Sequence, residues 1–336
     1  MATYPDKGGY HPVTLGESLK AGRYKVLHKL GWGGYSTVWA ARDQREEAYV
    51  AVKISFAETE HNWKTRELQT MRELASHHPP LKHTVQMLDF FDLKGPNGSH
   101  KCLVYELLGP NIPDVIDTHF PSGRLPWKLA KVIAKQSPVG LDGLRQQNKG
   151  HGEKSIEILG TPEIGYVQRR DGENLEPDMP EYIVKPISYR THSWNSTQKI
   201  KIIDFRKSFL RTTVPQTLHT PLPVRAPEVI SQDHIDQRVD LWRMGCMMRE
   251  MASDDLPERW QEIWDMMNAG DGITTQSPGP NLHEWPEEVY FAGPQSPDLT
   301  RGDIARLAQI IGRLLCFEPS ARASAREVLG DPWFNE

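Results

Sequence analysis

Cysteine is scarce. The 336 residues contain Cys102, Cys246 and Cys316, too few and too far apart for a disulfide framework and without the CxxC spacing of a thiolate zinc site. They read as soft buried hydrophobes of a reducing compartment. Long apolar runs are missing too: no segment of 18 apolar residues occurs, and the N-terminal MATYPDKGGYHPVTLGESL has no basic stretch leading into an apolar one. No membrane association is expected, and the reading is a cytoplasmic or nuclear protein. Nor is positive charge in excess. Forty basic against 44 acidic side chains give a formal charge of −4, which argues against a nonspecific nucleic-acid binder, because neutralising phosphates takes a cationic face. Direct nucleic-acid binding is not expected, and a basic partner suits this balance better.

What is present is ordinary globular material, 38% hydrophobic and 25% charged, in a chain long enough for one large domain or two lobes. Proline and glycine, 26 of each, cluster in HHPP, KGPNGS, QSPGPN and FAGPQSPD, which read as loops.

The stretch YKVLHKLGWGGYSTVWAARD alternates through Tyr24, Val26, His28 and Leu30, breaks at glycines and resumes at Val38 and Ala40. That pattern predicts strand, turn, strand. Gly31 and Gly33 remove side chains where a backbone has to approach phosphate oxygens, with Ser36 in the place of the third glycine of GxGxxG. By itself this is equally an ordinary hairpin. The next strand, EAYVAVKIS, puts Ala48, Val50, Val52 and Ile54 on one face and Ala51 and Lys53 on the other. Lys53 is either a solvated edge residue or a cation reaching phosphates beneath the glycine turn, since the 20 residues after Gly33 suffice to finish the hairpin and pair a third strand.

LGWGGYSTVW followed by VAVK resembles the ATP-binding hairpin of eukaryotic protein kinases. The SR-protein kinases in particular share the tryptophan and the serine in place of the last glycine. The resemblance extends to IDF at Asp204 and Phe205, RAPEVI at Ala226, Pro227 and Glu228, D-x-W-x-x-G at Asp240, Trp242 and Gly245, and an arginine near the end, Arg322. It covers about Tyr24 to Phe334, and LGPNI with the long spacer 156–199 suits a fungal SR-protein-kinase-like branch. It implies an α+β, two-lobed kinase fold: an N-terminal extension 1–22, a β-rich N-lobe 23–108 and a helical C-lobe 109–336. It also implies ATP and Mg2+ as cofactors and Arg/Ser-rich splicing-factor-type proteins as substrates, with the chain acting as a monomer.

The site implied for ATP comprises Leu30, Gly31, Trp32, Gly33, Gly34, Tyr35, Ser36, Thr37, Val38, Ala51, Lys53, Glu106 and Leu108, the last two at the hinge where strand KCLVYELLGPNI ends. Glu67, at the inner edge of the helical pattern of WKTRELQTMRELA, would pair with Lys53, with Glu73 as the alternative. Asp204 would hold the metal at the end of a short strand. Thr212, Thr213, Thr217 and Thr220 lie in the activation segment, as phosphorylation sites or plain loop residues. The spacer near RRDGENLEPDMPE is either a solvated loop or an acidic partner for an Arg-rich peptide.

The catalytic loop departs from the family. In NKGHGEKSIEILG, residues 148–160, His151, Gly152 and Glu153 align with H-x-D, but the position of the metal-binding asparagine holds Ile158. Glu153 is either a displaced general base or a residue from beyond a deletion after Gly152. The preceding segment LPWKLAKVIAKQSPVGLDGLRQQ carries Pro138, Gly140 and Gly143, so its helix is expected to kink or end near Ser137. Arg206 replaces the glycine after Asp-Phe and sets a cation beside the metal ligand.

Overall fold

A computed structural model describes residues 8–57, 63–76, 81–120, 125–145, 161–176, 179–187, 199–209, 214–252 and 299–334. The fold is the α+β kinase fold, with a β-sheet region first and helices later. The chain divides into two compact units, Met1–His119 with Gln147–Trp194 and Ile203–Ser208, and Phe120–Gln146 with Asn195–Ile202 and Phe209–Glu336. The catalytic-loop stretch 148–160, with Glu153, lies outside the described residues.

The first unit is built on an antiparallel sheet in the order β1-β2-β3-β4-β6-β5. Its strands are β1 (Ser18–Leu19), β2 (Tyr24–Gly33), β3 (Ser36–Asp43), β4 (Ala48–Ser55), β5 (Met87–Gly95) and β6 (Gly98–Glu106). β-Branched and aromatic residues at alternate positions suit a pleated surface, and they supply the core: Tyr24, Val26, Trp39, Val50, Val52, Ile54 and Val104. β4 pairs with β3 on one side and β6 on the other, so Lys53 is not an edge residue. Helix α1 (Trp63–Ser76) buries Glu67, Leu68 and Met71, while Ala75, read as an apolar-face residue, is exposed. A shorter helix, α2 (Ile112–His119), follows the sheet.

Two segments belong to this unit more closely than their sequences indicate. Residues 8–22 join the sheet through β1 and a Gly9–Ala57 bridge, with Val13 and Leu19 in the core. Part of the spacer forms a hairpin of β7 (Ile164–Tyr166) and β8 (Tyr182–Val184). Val184 enters the same core, the Leu15 N–H donates to the Tyr182 hydroxyl at 2.8 Å, and the Ile187 N–H donates to the Lys29 carbonyl at 3.0 Å. The acidic stretch in this hairpin is partly neutralised from within, since Arg169 reaches Asp171, Glu173 and Glu176.

The second unit is helical. Helix α3 (Trp127–Arg145) runs through Pro138, so of the expected kink or end near Ser137 the end does not occur. Its face carrying Leu129, Ile133, Ala134 and Ser137 is buried, and packing of this kind outweighs an intrinsic penalty of about 3 kcal/mol for proline. The Ser137 hydroxyl donates to the Ile133 carbonyl at 2.9 Å. The short α4 (Pro227–Ile230) carries Glu228. Helix α5 (Arg238–Ala252) buries Val239, Leu241, Trp242, Met244 and Met248 around its circumference, as a central helix should. Gly245 lets it approach α6 (Arg301–Leu314), because an added Cβ would stand 2.7 Å from a Leu315 methyl carbon. The strand expected ahead of Asp204 is reduced to a single bridge residue, Ile202.

Glu228 and Arg322 form a two-pronged ion pair, both contacts at 2.6 Å. The guanidinium also donates to the carbonyls of Cys316, Arg238 and Phe317 and lies over the Trp242 ring. Helix α7 (Ala325–Leu329) follows, capped by Ser324 and Glu327. Arg322→Ala leaves the buried Glu228 carboxylate without its counter-ion and is expected to cost about 3–5 kcal/mol in denaturant unfolding. A loss below about 1 kcal/mol would show that the pair is dispensable.

Candidate active site

The turn between β2 and β3 is tight, because Gly33 pairs with Ser36 and leaves only Gly34 and Tyr35 between the strands. A Cβ added at Gly31, Gly33 or Gly34 would meet nothing within 4 Å. None of the three takes a positive φ. Neither internal packing nor backbone conformation therefore calls for glycine here, and the three positions leave open backbone surface. Around that turn, Trp32 and Tyr35 are exposed at 67% and 50%, and the Tyr10 hydroxyl donates to the Gly33 carbonyl at 2.8 Å. Ser36 and Thr37 are buried, and the Thr37 hydroxyl accepts from the Trp39 indole at 3.0 Å.

On β4, Lys53 sits opposite Val38 of β3 and Leu103 of β6. Its ammonium contacts Glu67 Oε1 and Oε2 at 2.8 and 3.0 Å and Asp204 Oδ1 at 2.8 Å. Helix α1 delivers Glu67, while Glu73 is exposed and takes no part. Glu67 is held a second time, by the Tyr105 hydroxyl at 3.0 Å. Burial and the adjacent Glu67 carboxylate push the Tyr105 phenol well above its ordinary range, so it remains a donor. Sequence reasoning missed Tyr105. The available signal was the strand period: on β6, Leu103 and Tyr105 share the face opposite Ala51 and Lys53.

Asp204 takes a left-handed conformation, φ 63°, ahead of a 3-10 turn at Phe205–Lys207. The carboxylate is presented to Lys53 while its side chain stays 68% exposed. Burial of the carboxyl by itself would raise its pKa, but the Lys53 ammonium, with the Arg206 side chain and backbone N–H, holds it below the ordinary 3.8. Phe205 is buried, and the Ser208 and Thr70 hydroxyls lie 3.1 Å apart, fixing the turn against α1. Arg206 lies in that turn with its guanidinium 3.6 Å from the centre of the Tyr35 ring. The positive φ falls at Asp204 rather than at position 206, so the arginine is accommodated without strain.

The remaining expected positions are more mixed. Ala51 is buried, whereas Leu30, Val38 and Leu108 are half-buried. Glu106 accepts from the Gln86 N–H at 2.9 Å, which commits its carboxylate to the fold. Thr220 is buried and Thr217 exposed, while Thr212 and Thr213 lie outside the described residues. Among the described residues no group of three or more His, Cys, Asp or Glu side chains could hold a metal ion, and no helix is long and apolar enough to cross a membrane.

A buried lysine tied to a helix glutamate and to an Asp-Phe aspartate beneath a glycine turn is the arrangement expected of a protein kinase, and the chain is similar to that family. The family model for the protein kinase domain matches residues 193–334. Within the family the chain is similar to SR-protein-kinase-like members. A serine/threonine protein kinase of Aspergillus fumigatus is 28% identical over 360 aligned positions, covering 98% of this chain and 88% of the relative. The serine/threonine-protein kinase SRPK of Physarum polycephalum is 31% identical over 277, covering 74% and 65%. Human SRSF protein kinase 3 is 36% identical over 149, covering 43% and 26%.

Two outcomes are expected at this site. Because Lys53 lowers the folded-state pKa of Asp204, the pairing favours the folded state above about pH 3.8 and fades as the pH falls below that. The stability difference between the wild type and Asp204→Asn should therefore shrink between pH 5 and pH 3, as read by thermal unfolding; a pH-independent difference would contradict the pairing. Tyr105→Phe removes one hydrogen bond from buried Glu67 and should cost about 1–2 kcal/mol in denaturant unfolding, whereas no loss would mean that the bond is not made in solution.

Proposed function

We propose that the protein binds ATP beneath the glycine turn and transfers its γ-phosphoryl group to serine or threonine hydroxyls of Arg/Ser-rich proteins, working as a monomer in the cytoplasm or nucleus. The observation that carries this reading is the Lys53 ammonium fixed between Glu67 and Asp204. In such a site the protein contributes positioning and charge more than covalent chemistry. The glycine backbone, with Leu30, Val38 and Ala51, would cover the nucleotide, and the chain near Glu106 and Leu108 would receive the base. Lys53 would hold the α- and β-phosphates, and Glu67, with Tyr105 behind it, would keep the ammonium in place. Among the described residues Asp204 is the carboxylate presented for a divalent cation; Mg2+ commonly binds through one or two carboxylates plus substrate phosphates, so this donor fits. The cation, when bound, would neutralise charge on the transferring phosphate.

A second reading is favoured by the catalytic-loop sequence: a nucleotide-binding or merely kinase-shaped module that works through partners, its Asp and Asn positions filled by Glu153 and Ile158. An extra methylene displaces a carboxylate by roughly 1 Å, and misplacement of that size costs about 100-fold in rate. The alignment to the Aspergillus kinase spans 360 positions, more than the 336 residues of the chain, so that relative carries segments missing here.

Melting curves with and without MgATP test the first part of the proposal. ATP at 100 times its Kd should stabilise the protein by about 2.7 kcal/mol, and Lys53→Ala and Asp204→Ala should abolish the shift. No shift at millimolar MgATP would sink the nucleotide site. Phosphate transfer to an Arg/Ser peptide, lost in Lys53→Ala, would establish the enzyme; ATP binding without transfer would establish the second reading.

A further inference from the structure

The segment ahead of the sheet carries two consecutive glycines, Gly8 and Gly9, and its backbone explains both. Gly8 has φ 66° and Gly9 φ 142°, conformations that a side chain disfavours. The Gly9 carbonyl accepts from the Ala57 N–H at 2.7 Å, and the Tyr10 carbonyl accepts from the side-chain amide of buried Asn97, also at 2.7 Å. With its backbone held at both points, Tyr10 sets its ring edge-on against Phe56, the centroids 5.2 Å apart. Its hydroxyl then donates to the Gly33 carbonyl at 2.8 Å, while the Phe56 N–H donates to the Tyr35 carbonyl at 2.8 Å. Both residues flanking Gly34 are thus tied to one aromatic pair, and Phe56 follows directly on the strand that carries Lys53. Gly31, Gly33 and Gly34 meet no packing that would hold the turn in one position, and glycine backbone loses the most freedom on being ordered. The restraint on this turn therefore comes from outside it.

We infer that Tyr10 is a positioning residue for the nucleotide phosphates: by holding the Gly33 carbonyl it orders the glycine turn relative to the Lys53 strand before ATP arrives, so that binding does not have to order it. This rests on the ATP site proposed above. Tyr10 acts through the turn, and its effect falls on the phosphate chain, because the base would sit at the other end of the site, near Glu106 and Leu108. The N-terminal segment is in this reading a working part of the nucleotide site.

The test is calorimetry on the full chain with MgATP and, separately, with adenosine, which has no phosphates for the turn to cover. Tyr10→Phe keeps the ring against Phe56 and removes only the hydroxyl. It should weaken MgATP binding by about threefold to tenfold, the range of one lost hydrogen bond, and leave adenosine affinity within about twofold of the wild type. Gly9→Ala, which retains the hydroxyl but strains the backbone that delivers it, should reproduce the same selective loss. Unchanged MgATP affinity in Tyr10→Phe overturns the inference and leaves the ATP site standing. Equal weakening of MgATP and adenosine in Tyr10→Phe also overturns it, since that would mark a general loosening of the sheet. Absence of wild-type binding to MgATP overturns the ATP site itself and the role of Tyr10 with it.

Discussion

An ammonium group taken out of water into a β-sheet is stable only if its charge is met at close range, since desolvating an unpaired ion costs several kcal/mol. Lys53 is 8% exposed and Glu67 5%. Much of the first unit follows from satisfying that pair. β4 has to lie between β3 and β6 to bury the lysine stem, α1 has to bring Glu67 within 3 Å, and Tyr105 has to come from the neighbouring strand to satisfy the glutamate's second demand. The turn after Ile203 then places the Asp204 carboxylate on the other side of the ammonium. With several donors and acceptors fixed around one charge, the network tolerates the loss of any member poorly.

The second unit depends on an equivalent constraint. Arg322 is buried with Glu228, and its remaining N–H groups are taken up by three backbone carbonyls, so the ends of several segments are tied to one side chain. Helix α5 lies beneath this cluster through Trp242 and meets α6 closely because position 245 is glycine. These are structural requirements, separate from any chemistry, and they explain why the sequence landmarks of this unit persist in a chain whose catalytic loop has departed from the family.

Where local pattern and tertiary need agree, the sequence was legible. The alternation in β2 to β4, the glycine interruption and the helical spacing of α1, α5 and α6 anticipated those elements, and the structure sets the Lys53 ammonium against Glu67 and Asp204. What was not legible depended on partners distant in sequence. Helix α3 continues through Pro138 because its buried face holds it. Ahead of Asp204 the described residues carry only the bridge residue Ile202, because a strand takes its identity from a neighbour. The spacer hairpin gave too weak an apolar signal in β7, whose three residues are all exposed, for its core residue Val184 to be foreseen. Arg206 was visible as a departure, but its stacking on Tyr35 was not, because nothing in the sequence links positions 35 and 206.

The central claim is that Glu67 and Lys53 act as one unit in holding nucleotide. A double-mutant cycle on ATP affinity, comparing Lys53→Met, Glu67→Gln and the pair, tests it most directly. If Glu67 works only by fixing the ammonium, the double variant should bind no more weakly than Lys53→Met alone, leaving a coupling of about 1 kcal/mol or more. Additive losses would show that the two residues contact nucleotide independently and would contradict the account.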